Sequence, residues 1–173
     1  PIMGNIILAD EINRTSPKTQ SALLEAMEEH RVTVDGVTHQ LDSPFFVMAT
    51  QNPIEYEGTY SLPEAQLDRF LIKTKMGYPD RGDEIAIIMN AQMQASTDQL
   101  KPVITIDEMA ELQEEVQNIF VDESIARYIV ELMAKTRADK RVYLGVSPRG
   151  PIALMRASQA WAFMPGRKYC LPD

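Results

Sequence analysis

The sequence predicts an α/β fold in its first part and an all-helical second part. Two short apolar runs, Ile6–Ala9 and Phe45–Ala49, are typical of strands buried on both faces of a parallel sheet. Helical periodicity takes over after Gly77–Asp80, where glycine and proline interrupt the pattern. We therefore expect two domains, residues 1–79 and residues 80–173.

A helix is predicted directly after the first strand. Ser16 followed by Pro17 is a typical helix start, and we expect this helix to run to about His30. Its spacing predicts that three apolar side chains are buried, Leu23, Leu24 and Met27. Three acidic side chains are expected to face water, Glu25, Glu28 and Glu29.

A β-hairpin is predicted between this helix and the second strand. Asp35-Gly36 between alternating residues is a strong hairpin signal. A two-residue loop there pairs Val34 with Val37 and Val32 with His39, which gives one mostly apolar face.

Four helices are predicted in the second part. One segment runs from Asp80 to about Ser96, Asp107 and Asp122 each cap a helix, and Ser147-Pro148 starts the last one.

The composition is that of a globular protein with an acidic surplus. The chain has 17 Lys and Arg against 25 Asp and Glu, a net charge of −8, which argues against non-specific nucleic-acid binding. No apolar run approaches the roughly 18 residues of a membrane span. The single cysteine, Cys170, cannot form an internal disulfide, which favours a reducing, cytoplasmic compartment.

Two adjacent carboxylates, Asp10 and Glu11, follow the first strand. Ligands of open α/β sheets bind beyond the carboxyl ends of the strands, so both lie where a ligand is expected. In a P-loop nucleotidase the first acidic residue there helps to hold Mg²⁺. Its neighbour can orient and deprotonate the attacking water. The alternative is a strand that ends in a solvated acidic turn.

Polar residues also end the second strand, at Gln51-Asn52-Pro53. The uncharged amide of Asn52 could hydrogen-bond both a γ-phosphate oxygen and the lytic water. The alternative is a plain Asn-Pro turn.

Two arginines are candidates for phosphate recognition, which suits the planar, permanently charged guanidinium. Arg69 lies in a short helical stretch and could act from a neighbouring subunit; an intrachain pair with Asp68 or Glu64 is the alternative. Arg149 falls in the first turn of a helix, where free backbone N–H groups and a cation make an anion site. The alternative there is an exposed arginine, disfavoured slightly by the helix dipole.

The two histidines, His30 and His39, flank the hairpin. A metal-dependent hydrolase built on them with Asp10 and Glu11 lacks a ligand set of suitable spacing.

Taken together, several segments of the chain resemble the MoxR family of AAA+ ATPases. These segments are distributed from the first predicted strand to the start of the last predicted helix. They are Ile6–Arg14, Pro17–Gln20, Ala22–Met27, Ala49–Pro53, Glu57–Tyr60, Leu62–Phe70 and Ser147–Arg149. The order and spacing of these motifs are very specific.

This resemblance implies a role for each candidate residue. Asp10 and Glu11 correspond to the Walker B pair, with Asp10 as the metal residue, and Asn52 to the sensor 1 residue. Arg69 is similar to the family's arginine finger, and Arg149 to its sensor 2 arginine. The implied cofactors are ATP and Mg²⁺, with Asp10, Glu11, Asn52 and Arg149 at the nucleotide.

The resemblance also implies an architecture and partners. It suggests the carboxyl-terminal part of a P-loop NTPase (AAA+) sheet, with the hairpin at residues 31–41 as the pre-sensor 1 insertion and a helical lid after about residue 80. The family forms rings, usually hexameric, with ATP sites between subunits. It acts as a chaperone-like remodeller or maturation factor, often with von Willebrand factor A-domain proteins.

The chain departs from the family in one respect. The motif Gly-x-x-x-x-Gly-Lys-Ser/Thr does not occur in the 173 residues. We therefore expect a carboxyl-terminal portion of a longer ATPase, inactive by itself. A non-hydrolysing scaffold that binds protein partners is the alternative, although it would be expected to have lost some of the five site residues.

Overall fold

The computed structural model describes residues 2–52, 59–92 and 100–173. The expected end of a helix near Ser96 lies outside these residues, as do Pro53, Glu57 and Gly58 of the family motifs. Two compact units are present, Pro1–Leu71 with Ile106–Asp173, and Ile72–Thr105. The first unit contains every candidate site residue; the domain limit at residue 79 stays a prediction.

Four strands and six helices are formed by the described residues. The strands are β1 (Ile6–Ala9), β2 (Arg31–Val34), β3 (Val37–Gln40) and β4 (Phe46–Ala49). The helices are α1 (Pro17–Glu29), α2 (Glu64–Leu67), α3 (Arg81–Gln92), α4 (Ile106–Gln117), α5 (Glu123–Ala138) and α6 (Arg149–Phe163). A short 3-10 turn, Ile12–Arg14, lies between β1 and α1.

Strands β1 and β4 pair in parallel, with Ile6 opposite Phe46 and Ala9 opposite Ala49. One face of this pair packs on the core cluster of Ile12, Leu23, Leu24 and Leu62. The other face is exposed, and the expectation of burial on both faces is wrong for this chain. Its side chains are Ile6, Leu8, Phe46 and Met48, exposed by 67%, 62%, 56% and 46%. Side chains alternate between the two faces of a strand, and only one face meets the core.

Helix α1 and the hairpin form as the sequence predicts. The Ser16 hydroxyl accepts from the backbone N–H of Thr19 at 3.3 Å, which caps α1, and His30 ends it in the left-handed conformation. The hairpin pairs Val34 with Val37 and Val32 with His39, as expected. Both loop residues, Asp35 and Gly36, have positive φ, as a tight two-residue turn requires.

The starts of α4 and α5 differ in how well the sequence predicted them. Asp122 caps α5, since its carboxylate accepts from the Ser124 backbone N–H at 2.9 Å. Hydrogen bonds from the Ser124 hydroxyl and, to a smaller extent, from this N–H lower the pKa of the Asp122 carboxyl. The prediction that Asp107 caps α4 is wrong: α4 begins at Ile106, so Asp107 lies in its first turn, where a carboxylate still favours the helix dipole.

Helix α6 and the end of the chain share a small core with the loop after α4. Ile119, Ala162 and Cys170 are buried together. The side-chain amide of Gln159 donates to the Gln117 and Ile119 carbonyls at 3.1 and 2.9 Å, which satisfies groups at the end of α4. No helix within the described ranges is long and apolar enough to cross a membrane.

Candidate functional site

The parallel register of β1 and β4 brings the residues after each strand together. Thr50 follows β4, and its hydroxyl donates to Asp10 Oδ1 at 2.5 Å. The same hydroxyl accepts from the Glu11 backbone N–H at 2.8 Å. Thr50 therefore fixes one oxygen of the Asp10 carboxylate. The sequence did not predict this contact of Thr50 with Asp10, although Thr50 lies within one of the family motifs.

Glu11 occupies a tight turn at this edge. Its φ of 48° is in the left-handed region, a conformation that costs a non-glycine residue roughly 1–3 kcal/mol. The backbone N–H of Ile12 donates to the Thr50 carbonyl at 3.0 Å and holds the turn. The Glu11 carboxylate pairs with Arg14 at 2.9 Å, and its side chain is 37% exposed. It therefore remains within reach of solvent and of a bound ligand.

Asn52 is anchored at the same edge by a second asparagine. The Asn13 side-chain amide donates to the backbone carbonyl of Asn52 at 3.1 Å. Asn13 is only 7% exposed, and its Oδ1 has no hydrogen-bond partner among the described residues. Nothing in the sequence distinguishes Asn13 except its place in a family motif, so this contact is visible only in the structure.

Buried Gln20 ties this turn to a later loop. Its side-chain amide donates to the carbonyls of Ile12 and Tyr60 at 3.1 and 2.9 Å. The Tyr60 N–H in turn donates to the Asn13 carbonyl at 2.6 Å. These bonds satisfy buried backbone groups and set the position of the segment that leads into α2.

The two candidate arginines converge on one carboxylate, Glu28, near the end of α1. Arg69 Nη2 lies 3.1 Å from Glu28 Oε2, and Arg149 Nη2 contacts Glu28 Oε1. Glu28 is exposed, as expected, but its side chain also carries two ion pairs that were not predicted and is 31% exposed. Arg69 does form an intrachain pair, but with Glu28 and not with the predicted Asp68 or Glu64.

Contacts to α2 and α5 fix the start of α6. The Ser147 hydroxyl accepts from the Arg149 backbone N–H at 3.0 Å and donates to Asp68 Oδ2 at 2.7 Å. Arg137, near the end of α5, donates from Nε to the Val146 carbonyl at 2.7 Å. The helix begins one residue later than the Ser-Pro signal predicts: Pro148 is its cap and Arg149 its first residue, so Arg149 lies in the first turn as expected.

The site residues form two groups rather than one. Asp10, Glu11 and Asn52 lie at the strand edge, before α1, whereas Arg69 and Arg149 meet at the far end of α1. Gln20, the fourth residue of α1, contacts the Ile12 carbonyl beside the paired carboxylates, and Glu28 lies eight residues further along, a rise of about 12 Å. The two arginines of one chain are thus held about two helical turns further along α1 than the contact with the strand edge.

The donor set at the strand edge suits a magnesium ion. Thr50 occupies Oδ1 of Asp10, and the second carboxylate oxygen is of the hard type that Mg²⁺ prefers, usually with several waters retained. Over the described ranges no group of three His, Cys, Asp or Glu side chains could hold a metal by itself. His30 instead packs edge-on against Phe45, with ring centroids 6.1 Å apart.

Comparison with known families gives two matches along the chain. Residues 1–72 match the ATPase family associated with various cellular activities (AAA). Residues 134–173 match the AAA lid domain. The first match contains the strand-edge group, Glu28 and Arg69, and the second contains Arg149.

Individual proteins resemble the chain over nearly all its length. YeaC of Bacillus subtilis is 62% identical over the whole chain and 54% of its own length. The chaperone MoxR1 of Mycobacterium tuberculosis is 42% identical over the whole chain and 48% of its own length. A crystal structure of a Cytophaga hutchinsonii protein described as an ATPase superposes with a TM-score of 0.91 at 40% identity, covering 99% of this chain and 55% of that one. The chain spans about half the length of the curated relatives it matches.

Proposed function

The chain belongs to the MoxR family of AAA ATPases, and on that premise we propose that it is part of an enzyme that hydrolyses ATP to remodel partner proteins. The strand edge carries this proposal: Asp10 is fixed by Thr50, and Glu11 follows it in a turn that leaves the carboxylate accessible. This arrangement has the residue types and the location that nucleotide hydrolysis needs.

A longer protein is required for this activity. The sequence has no Gly-x-x-x-x-Gly-Lys-Ser/Thr loop to cradle the β- and γ-phosphates, and the chain covers 54% and 48% of its first two curated relatives. We propose that another segment of the whole protein supplies this loop. The residues present here then contribute metal binding, water activation and phosphate recognition.

Asp10 and Glu11 have different tasks in this proposal. Asp10 would hold Mg²⁺, which neutralises phosphate charge when it is bound. Glu11 accepts a proton from the attacking water as the water oxygen bonds to the γ-phosphorus. The bond from the γ-phosphorus to the bridging oxygen breaks, and ADP and phosphate leave. To act, Glu11 must turn from its pair with Arg14, an exposed contact worth about 0–1 kcal/mol.

Asn52 and the two arginines would complete the site from two sides. The Asn52 amide is proposed to contact the γ-phosphate and the attacking water. Arg69 and Arg149 both pair with Glu28 in α1 rather than reaching their own strand edge, so we assign both to the nucleotide of a neighbouring subunit. Active sites would then lie between subunits of a ring, for which the family suggests a hexamer.

The cellular role is proposed from the family alone. MoxR1 is named a chaperone, and we propose chaperone-like maturation of partner proteins in the cytoplasm, with von Willebrand factor A-domain proteins as the partner class.

Glu11→Gln in the full-length protein tests this function. It should retain ATP binding and lower turnover by about 10²–10⁴, the usual contribution of a positioned general base. Glu114→Gln, the same change on the exposed surface of α4, is the matched control and should leave turnover unchanged. Asp10→Asn should instead raise the Mg²⁺ concentration needed for half-maximal turnover. An unmodified full-length protein that binds ATP without hydrolysing it would favour the scaffold alternative.

A further inference from the structure

Glu28 joins two arginines that lie far apart in the sequence. Its Oε2 is 3.1 Å from Arg69 Nη2, and its Oε1 accepts a hydrogen bond from Arg149, which is 121 residues away. The side chains of Glu28 and Arg69 are each 31% exposed and that of Arg149 is 52% exposed. This cluster, Glu28 with Arg69 and Arg149, is thus partly desolvated, and the arginines remain reachable from solvent.

The charges explain why a carboxylate is needed between the arginines. Two guanidinium groups that share one site repel each other, and the repulsion is stronger where water is partly excluded. The carboxylate leaves the three-residue cluster with a net charge of +1, and the adjoining cleft is also lined by Glu25, Glu29 and Arg31. In the described contacts each arginine uses one nitrogen, Nη2, on Glu28, so the other N–H donors can bind an anion.

Space for a ligand is present beside the cluster. A cleft of about 480 Å³ opens against Glu28 and Arg69 and is also lined by Ser21, Glu25 and Gln66. Across the cluster, the Ser147–Asp68 hydrogen bond gives the start of α6 a second anchor. Both arginines are therefore oriented by the protein; Arg69 lines the cleft, and the Arg149 side chain is 52% exposed beside it.

We propose that Glu28 is a positioning residue that holds Arg69 and Arg149 side by side, so that both guanidinium groups engage one nucleotide together. This inference rests on the proposed ATPase function. It adds that the two arginines act as a unit and that the α1 carboxylate sets their geometry. Glu28 itself touches neither the phosphates nor the attacking water.

The first test measures how stably the first turn of α6 is held and needs no ATPase activity. In the 173-residue chain, Glu28→Gln should raise amide hydrogen exchange in the first turn of α6 at least threefold. Glu29→Gln is the matched control: it removes the same charge from the next residue and breaks an exposed pair with Arg31, and it should change exchange less than twofold. In an Arg149→Ala background, Glu28→Gln should have no further effect.

The second test measures turnover in the full-length protein. Glu28→Gln should lower kcat at least tenfold and change KM for ATP less than threefold, because orientation is lost while the phosphate loop is intact. Glu28→Asp keeps the charge and should recover part of kcat. A fall in kcat that Glu28→Asp does not partly restore would overturn the proposal. So would amide-exchange effects of Glu28→Gln and Arg149→Ala that add when the two changes are combined.

The two tests separate this inference from the proposed function. If the full-length protein shows no hydrolysis, the function fails, and the exchange measurement alone decides whether Glu28 places the arginines. If hydrolysis is normal but Glu28→Gln behaves like Glu29→Gln, only this inference fails. If Glu28→Gln does not fold, amide exchange of the unmodified chain is measured in 1 M NaCl instead. Salt screens the ion pairs of the cluster, so exchange in the first turn of α6 should rise. Unchanged exchange would contradict the proposal.

Discussion

Gly145 lies directly against the backbone of Arg137. A methyl group on Gly145 would stand 2.7 Å from the Arg137 Cα and 2.8 Å from its Cγ. This close approach lets Arg137 reach the carbonyl of Val146 and thereby holds the loop that starts α6. The position of Arg149 depends on that loop, so a small residue far from any ligand helps to arrange the site.

Gly145→Ala should therefore destabilise the chain. The methyl group meets backbone, which cannot move aside as a flexible side chain can, and overpacking of this kind costs about 1–3 kcal/mol. Urea unfolding of the 173-residue chain measures the change. Gly77→Ala is the control, because no atom lies within 4 Å of the added carbon, and it should stay within about 0.5 kcal/mol of the unmodified chain. Equal stability of the two variants would contradict the packing described.

Ser147→Ala should also lower the free energy of unfolding. The hydroxyl caps the Arg149 N–H and donates to Asp68, and losing both bonds is expected to cost about 1–2 kcal/mol. Ser158→Ala, within α6, removes only a bond to the Leu154 carbonyl and should be near neutral. Thermal unfolding compares the two variants, and a Ser147→Ala midpoint no lower than that of Ser158→Ala would refute the capping role.

The single cysteine should react slowly while the chain is folded. Cys170 is 5% exposed, and burial raises the pKa of its thiol. The reactive form is the thiolate, so a raised pKa and poor access both slow the reaction. Labelling with a disulfide reagent at pH 8 should be about tenfold slower or more than in denaturant. Because unfolding lets the thiol ionise, stability should fall as the pH rises past about 8.5. Equal labelling rates would mean that the end of the chain does not pack as described.

The isolated 173-residue chain should not bind ATP in the micromolar range. Loop N–H groups and a lysine normally hold the phosphates, and the sequence carries no such motif. Isothermal titration calorimetry with Mg²⁺ measures this directly. Clear micromolar binding would show that phosphate recognition is built differently here.

Local signals made much of the fold predictable from the sequence. The Ser16 cap, the Asp35-Gly36 turn and the apolar runs act within a few residues, and the structure confirms α1, the hairpin register and the parallel strand pair. The family was also predictable, because several motifs in a fixed order are far more specific than any one of them. The matches to AAA ATPases and MoxR proteins confirm it.

What the sequence left open are contacts between residues that are distant along the chain. Glu28 looked like one of three solvated glutamates, and its arginine partner Arg149 lies 121 residues away. The role of Thr50 depends on the register between β1 and β4, which no local pattern specifies. The exposure of the sheet face that carries Leu8 was also not predictable. An apolar strand can have the same sequence whether one of its faces is covered or both.

The central claim is that Arg69 of one subunit completes the site whose paired carboxylates belong to the next. Arg69→Ala in the full-length protein should lower turnover by about 10³–10⁵ with nucleotide affinity largely retained, whereas loss of a partly exposed intrachain pair alone would leave turnover intact. Mixing Arg69→Ala subunits with Glu11→Gln subunits is the most direct measurement. Some interfaces in mixed rings then contain both intact groups, and the account predicts partial recovery of ATP hydrolysis. No recovery in mixtures shown to assemble together would contradict it.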